Sequence, residues 1–342
     1  MNTSLIITNN YCFLQTLKND YQHFIFATKG HGVAQKNFYQ KRFSELKKLI
    51  PTLEIRNTHK TEAFDLLGWD SFDEAKIAKQ NLLPFQNRLF EKIEFKMPES
   101  FTSFRKKAEN FLPEFYDNAI KPIDHDVIDR INFYFDNKRR PSSYFETRNG
   151  LLGVEYSTQF SPYLSCGALD VRYLYNCVKN YEQEYGENKS TYWIVFELLW
   201  REFFYWHYQK HKALYFSENG LKGNPDFTPP KNFGLDELRN IDAPSFFKAC
   251  LNELEKTGFL SNRARQIFAS IWLNDLNLPW RSGALLFEHH LIDYDVYSNY
   301  GNWMYLAGVG VDPRGKRYFN VKKQLDMYDP RREYEAYWLS EN

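Results

Sequence analysis

The chain has 342 residues, 43% of them hydrophobic and 18% aromatic, with 44 lysines and arginines set against 43 aspartates and glutamates. That length allows one large domain or two ordinary ones, and a formal charge of +1 excludes a uniformly basic nucleic-acid binder, so any basic footprint must be local. Cys12, Cys166, Cys177 and Cys250 are too dispersed for a zinc or disulfide framework, no apolar run reaches membrane-spanning length and no secretion signal is present, so a reduced, cytoplasmic protein without membrane contact is expected.

The first elements alternate. "SLIIT" (4–8), "HFIFAT" (23–28) and "LEIRN" (53–57) read as strands, with helical patterns near 11–19 and 34–49 between them. Residues 1–66 therefore predict a short, truncated α/β element, and it lacks a glycine-rich phosphate loop. Residues 67–112 are polar and mixed, a connector ending in a helix within "KMPESFTSFRKKAENF" (96–111), capped by Ser100 or Thr102. From residue 113 to 342 the periodic segments are helical, at 163–182, 190–216, 243–256, 259–276, 281–291 and 329–339, with a proline-rich loop at 217–235. The fold class expected is mainly α: one all-helical domain behind a small α/β element.

Four segments carry chemistry. In "YFETRNGLLGVEYSTQFSPYLSCGALD" (144–170), Ser157, Thr158 and Ser161 precede a helix that starts at Pro162; hydroxyls there suit a phosphate, and ordinary capping by Ser161 explains the same residues and is the reading that spacing alone favours. In "TYWIVFELLWREFFYWHYQKH" (191–211), Glu197, Trp200, Arg201 and Phe204 fall on one helical stripe. That stripe is either an internal Glu197–Arg201 ion pair at a domain rim or a stacking platform with a hydrogen-bonding carboxylate. In "TGFLSNRARQIFASIWLNDLNLPWRSG" (257–283), Asn262, Arg265, Gln266 and Ala269 share a face, and Arg265 needs a carboxylate from Asp293 or Asp295. Finally, Asn299 and Asn302 interrupt both the helical and the strand pattern in "SNYGNWMYLAGVG" (298–310), which reads as a surface for something planar and polar. Asp293, Asp295 and Asn299 bracket the edge of a heterocycle or form a capped turn. His289 and His290 are adjacent, poor geometry for a shared metal on a helix, and no metal site is expected.

Taken together, "ETRNGLLGVEYSTQFSPYLSCGAL", "ENKSTYWIVFELLWREFF", "TGFLSNRARQ" and above all "LIDYDVYSNYGNWMYLAGVGVDPRGKRYFN" resemble the flavin-binding domain of the photolyase/cryptochrome family, most of all its DASH-type cryptochromes. The resemblance runs in order from Tyr144 to about Leu339, with a weaker match in "MPESFTSFRKKAE". It implies that Tyr144, Ser157, Thr158 and Ser161 hold the phosphates of FAD. Asn262, Arg265, Asp293, Asp295 and Asn299 would surround the isoalloxazine ring, with Asn299 facing N5 and Arg201 beside the cofactor. The glycines of 298–310 would let the backbone approach it. Glu197 and Trp200 would hydrogen-bond and stack on a flipped-out pyrimidine dimer, next to Asn262, and Trp303 and Trp280 would carry electrons to the flavin.

The function so implied is light-dependent repair of cyclobutane pyrimidine dimers in UV-damaged, single-stranded DNA by electron transfer from photoexcited reduced FAD, performed by a monomer. Leu260, Ser261 and Asn262 stand where relatives that repair the (6-4) photoproduct carry histidine, which favours the dimer. The alternative is a blue-light photoreceptor that signals through FAD photoreduction. Three departures from the family pattern matter. The amino-terminal antenna domain is a short form here, so no folate antenna is expected. No tryptophan lies between residues 207 and 271, where the distal electron donor belongs, leaving Phe227, Phe233, Tyr215 or Trp272 as substitutes. Lys248 in "LRNIDAPSFFKACLNEL" (238–254) replaces an acid in a segment that forms part of the flavin cavity wall in relatives.

Overall fold

The computed structural model describes residues 100–117, 119–136, 139–311 and 315–340. The α/β element expected over residues 1–66 and the connector up to residue 99 lie outside the described residues, which are helical and contain no strand.

Side-chain caps and glycines punctuate the chain. Helix α1 (Phe101–Ala108) starts where Ser100 accepts from the Ser103 N–H, so Ser100 is the cap used. Asp124 caps α2 (His125–Phe135) in the same way. Three short helices follow: α3 (Arg139–Ser142), α4 (Tyr144–Thr147) and α5 (Ser161–Cys166). The single helix expected over 163–182 is two. Gly167 takes a left-handed φ of 81° that ends α5, and Asp170 caps α6 (Val171–Tyr185) by accepting from the Arg172 N–H.

Helix α7 (Lys189–His211) is the axis of the domain. It is apolar nearly all round, which is the pattern of a helix enclosed by others. Leu199 and Phe203 are fully buried, and each such side chain stabilises the fold by roughly 1.5–3 kcal/mol. Phe104 of α1 packs edge-on against Phe203, with centroids 5.3 Å apart. A 3₁₀ turn (Lys212–Phe216) then leads into the proline-rich loop. Arg281, 4% exposed, reaches into that loop: its guanidinium donates to the Phe216 carbonyl at 2.7 Å, to Glu218 Oε2 at 2.9 Å, to the Asp226 carbonyl at 3.3 Å, and to the Thr228 carbonyl.

Beyond the loop come α8 (Leu235–Arg239), α9 (Ser245–Thr257), α10 (Asn262–Ser270), a π-helical turn (Ile271–Asp275) and α11 (Trp280–His290). The last three are α12 (Val296–Ala307), α13 (Val321–Tyr328) and α14 (Glu333–Ser340). On α14, Tyr334 donates its hydroxyl to the Glu253 carboxyl of α9.

Helix α12 corrects the sequence reading of 298–310. Asp295 caps it by accepting from the Ser298 N–H at 2.8 Å, and Gly308 ends it at φ 77°. Asn299 and Asn302 break the apolar pattern without breaking the helix, because their amides donate to the Ala284 carbonyl at 2.9 Å and the Ser298 carbonyl at 2.8 Å. At Gly301 packing itself demands a glycine. A Cβ on Gly301 would stand 2.3 Å from Phe204 Cδ1, so α12 crosses α7 at a point that admits no side chain. The roughly 0.5–1 kcal/mol that a helical glycine costs is small beside what that contact buries.

Candidate functional site

Helices α7, α10 and α12 converge with residues 157–161 on a cavity of about 500 Å³, a volume in the range of cofactor sites. Each wall has a distinct chemistry, and the sequence stripes identified above supply them.

The first wall is a loop of hydroxyls. Ser157, Thr158 and Ser161 line the cavity beside Tyr144. Arg130 occupies the carbonyls of this loop, donating through Nε to Thr158 at 2.8 Å and through Nη2 to Ser157 at 2.9 Å and Val154 at 3.1 Å. With the acceptors engaged, the loop is left to offer hydroxyls and N–H groups, as an anion requires. Ser161 is not the cap of α5, which starts without a side-chain capping bond, so the capping explanation of this serine is set aside.

On the second wall, Asn262, Arg265, Gln266 and Ala269 of α10 all face the cavity. Arg265 Nη2 donates to both carboxylate oxygens of Asp293, at 2.9 and 2.8 Å, while its Nε donates to the Leu260 carbonyl at 2.9 Å. Asp293 is 6% exposed. A carboxylate so buried requires the guanidinium beside it. Asp295 lies on the same cavity, and one of its oxygens is committed to capping α12.

From α12 itself, Asn299 and Trp303 line the cavity. Trp303 is 2% exposed, and its indole N–H has no hydrogen-bond partner among the described residues. A buried donor left bare costs about 1–3 kcal/mol, and an acceptor bound in the cavity would remove that cost.

The stripe of α7 completes the enclosure: Glu197, Trp200, Arg201 and Phe204 are all lining residues. The internal Glu197–Arg201 pair does not form. Glu197 Oε1 instead lies 2.7 Å from Arg148 Nη2, and Arg201 Nη2 donates to the Leu164 carbonyl at 3.0 Å. Burial pushes the Glu197 carboxyl above its usual range, and the Arg148 guanidinium opposes that rise. Burial lowers the pKa of Arg201, opposed by the nearby Asp295 carboxylate.

Trp200 is held by other rings. Phe101 stacks on it with centroids 3.6 Å apart and planes 10° apart, and Tyr305, also on the cavity, meets it edge-on at 6.1 Å. Arg148, Tyr305 and Phe101 received no role in the sequence reading. Arg148 follows Tyr144 by four residues, a helical spacing that could have joined them. Ser298, Asn302 and Tyr305 are also helically spaced, which stayed hidden while the stretch was not read as a helix. Nothing local announces Phe101. Trp280 is not a lining residue; it begins α11 and donates its N–H to the Glu218 carbonyl at 2.7 Å. No residue of 238–254 lines the cavity, so the Lys248 substitution does not touch this wall.

A family profile described as the FAD binding domain of DNA photolyase matches residues 244–342. The fold and the site thus define a helical flavin-binding domain. The chain belongs to the photolyase/cryptochrome family. It is 42% identical over 274 residues to the cryptochrome DASH of Vibrio parahaemolyticus, covering 71% of this chain and 60% of that one. A second cryptochrome DASH, from Idiomarina loihiensis, is 40% identical over 278 residues, covering 72% of this chain and 61% of that one. Among solved structures, the Synechocystis cryptochrome superposes with a TM-score of 0.65 at 30% identity, over 95% of this chain and 70% of that one. The chain therefore spans about 60% of the length of the first two relatives. No helix among the described residues is long and apolar enough to cross a membrane.

Proposed function

We propose that this protein is a light-dependent repair enzyme for cyclobutane pyrimidine dimers in single-stranded DNA, working with FAD in the cavity. The observation that carries this reading is the meeting of two residue sets on one cavity: Glu197 and Trp200 on α7, and Arg265, Asp293 and Asn299 on α10, the loop between α11 and α12, and α12. A flavin alone requires only the second set. An opened base requires the first, because it must be stacked and hydrogen-bonded once it leaves the helix.

The donor set suits FAD. Tyr144, Ser157, Thr158 and Ser161 would hold its phosphates, with Arg201 alongside, and Asn262, Arg265, Asp293, Asp295 and Asn299 would hold the ring system. When bound, FAD supplies the electron that light transfers to the dimer and takes it back after the cyclobutane ring has split. The chain's own part is binding and orientation. Asp293 fixes the Arg265 guanidinium, so its charge stays at one place in the cavity. Trp200 presents a ring already immobilised by Phe101, and Tyr305 sets a second aromatic surface beside it. Glu197 accepts hydrogen bonds while ionised, and Arg148 favours that ionised form. The near-neutral chain has little electrostatic pull on duplex phosphates, which suits a substrate whose bases are already unstacked. The protein would act as a monomer in the cytoplasm with residues 113–342 as its working domain.

A photoreceptor that signals through FAD photoreduction is the second reading. It is favoured by the aromatic surroundings of Trp303, whose ring lies 6.1 Å from that of Trp272. The deciding experiment illuminates chemically reduced, FAD-loaded protein with a dimer-containing oligonucleotide, single- and double-stranded, and follows loss of the dimer. Light-dependent reversal, faster on the single strand, is the expected result; bound FAD without reversal would transfer the assignment to the photoreceptor.

A further inference from the structure

Helices α11 and α12 carry a second constellation, outside the cavity. Trp280 lies at the start of α11, and its ring stands 6.1 Å from that of Tyr300 on α12, edge to face at 84°. Tyr300 is 3% exposed, and its hydroxyl donates to Glu288 Oε2 at 3.2 Å. Tyr294 donates to the same oxygen at 2.9 Å. Arg281, also near Tyr300, is already engaged by Glu218. A readily oxidised phenol therefore touches an indole on one side and a carboxylate able to take its proton on the other.

The way in from the cavity is also short. Trp303 packs over Gly283, where a Cβ would stand 2.3 Å from Trp303 Cη2, and Gly283 is one helical turn from Trp280. The Trp272 ring lies 6.1 Å from that of Trp303, but its other ring neighbours are Phe233, Phe247 and Phe268, and its N–H is held by the Pro279 carbonyl. Among the described residues, the rings beyond Trp303 that pack on Trp272 are phenylalanines, which a vacancy does not oxidise. At Tyr300 it meets a phenol hydrogen-bonded to a carboxylate.

We propose that Tyr300 is the terminal internal electron donor when light reduces the flavin, giving its electron to Trp280 and its phenolic proton to Glu288. This rests on the flavin reading above. The photoexcited oxidised flavin takes one electron from Trp303, Trp303 takes one from Trp280, and Trp280 takes one from Tyr300. As the last electron leaves, the Tyr300 O–H bond breaks and its proton passes to Glu288 Oε2. Both tryptophans are restored, and the charges of the indole cation and the carboxylate are replaced by a neutral tyrosyl radical and a neutral carboxylic acid. In a desolvated site, exchanging two charges for none holds the separated electron in place. An added thiolate would later return one electron to the radical and leave as a thiyl radical, while Glu288 gives the proton back to the Tyr300 oxygen and is restored as a carboxylate.

The test uses FAD-loaded protein in its oxidised form, with bound flavin verified by absorbance, illuminated and followed by transient absorption and freeze-quench electron paramagnetic resonance. A neutral tyrosyl radical is expected in the wild type. Tyr300→Phe should abolish it, leave the vacancy on tryptophan as a longer-lived tryptophan radical and shorten the life of the photoreduced flavin at least tenfold, whereas Tyr294→Phe should keep it. Glu288→Gln should slow its appearance and remove its dependence on heavy water. A tyrosyl radical persisting in Tyr300→Phe, or flavin reduction in the wild type with no tyrosyl radical, overturns this proposal alone. Failure of the wild type to bind flavin overturns the flavin reading, and this proposal with it.

Discussion

Arg148 Nη2 lies 2.7 Å from Glu197 Oε1, whereas Arg201, one turn further along the helix from Glu197, turns to the Leu164 carbonyl instead. The carboxylate on the aromatic stripe is thus governed from another element. Arg148→Met removes the group that opposes the burial-driven rise of the Glu197 carboxyl. The yield of dimer splitting per absorbed photon should fall about tenfold, the effect of about 1.4 kcal/mol, with bound flavin unchanged. Glu197→Ala should fall at least as far. Parallel measurement of flavin absorbance and dimer loss checks both; an undiminished yield in either variant would remove that residue from substrate binding.

Asp293→Asn leaves the Arg265 guanidinium without its carboxylate. Breaking a buried pair costs about 3–5 kcal/mol, part of it recovered by relaxation, so flavin affinity should weaken by roughly 10- to 100-fold. Fluorescence titration of the apoprotein with FAD measures it, and an unchanged dissociation constant would place the flavin ring elsewhere.

At Gly301, two effects oppose each other. Helix propensity favours Gly301→Ala by about 0.5–1 kcal/mol, but the new Cβ would stand 2.3 Å from the Phe204 ring, and overpacking costs about 1–3 kcal/mol. The clash should win and the melting temperature fall by a few degrees. Calorimetry decides, and a stabilised variant would show that Phe204 moves aside freely.

Glu253 is 6% exposed, and burial pushes its carboxyl up from 4.5 to about 7, opposed by the Tyr334 hydroxyl and the Arg265 charge. A folded-state pKa raised above the unfolded one means that the folded protein holds the proton more firmly. The associated stability is full below the unfolded value and is lost as pH rises towards 7. Glu253→Gln should therefore flatten the fall in stability between pH 4.5 and 7, read from urea unfolding at a series of pH values.

The stripes of α7 and α10 were legible in the sequence because helical spacing alone determines which side chains share a face. Glu197, Trp200, Arg201 and Phe204 meet one cavity for that reason, as do Asn262, Arg265, Gln266 and Ala269. Helix α12 was illegible because its two asparagines look like interruptions until their amides find acceptors, one on α11 and one a turn back. The break at Gly167 was equally hidden, since apolar periodicity continues across it. Arg148, which pairs with Glu197 in place of Arg201, and Phe101, which backs Trp200, act across long separations in sequence. No local pattern encodes a partner 49 or 99 residues away.

Arg281 ties three carbonyls and a carboxylate of the 216–228 segment to the first turn of α11. One planar cation thereby gives that stretch the kind of tether a disulfide would give, yet it is indifferent to reducing conditions, and Cys166, Cys177 and Cys250 stay as thiols. Lysine, with a single ammonium in place of a fork, could not span the same acceptors. The loop is thus mechanically part of α11, and its resistance to proteases should depend on one side chain.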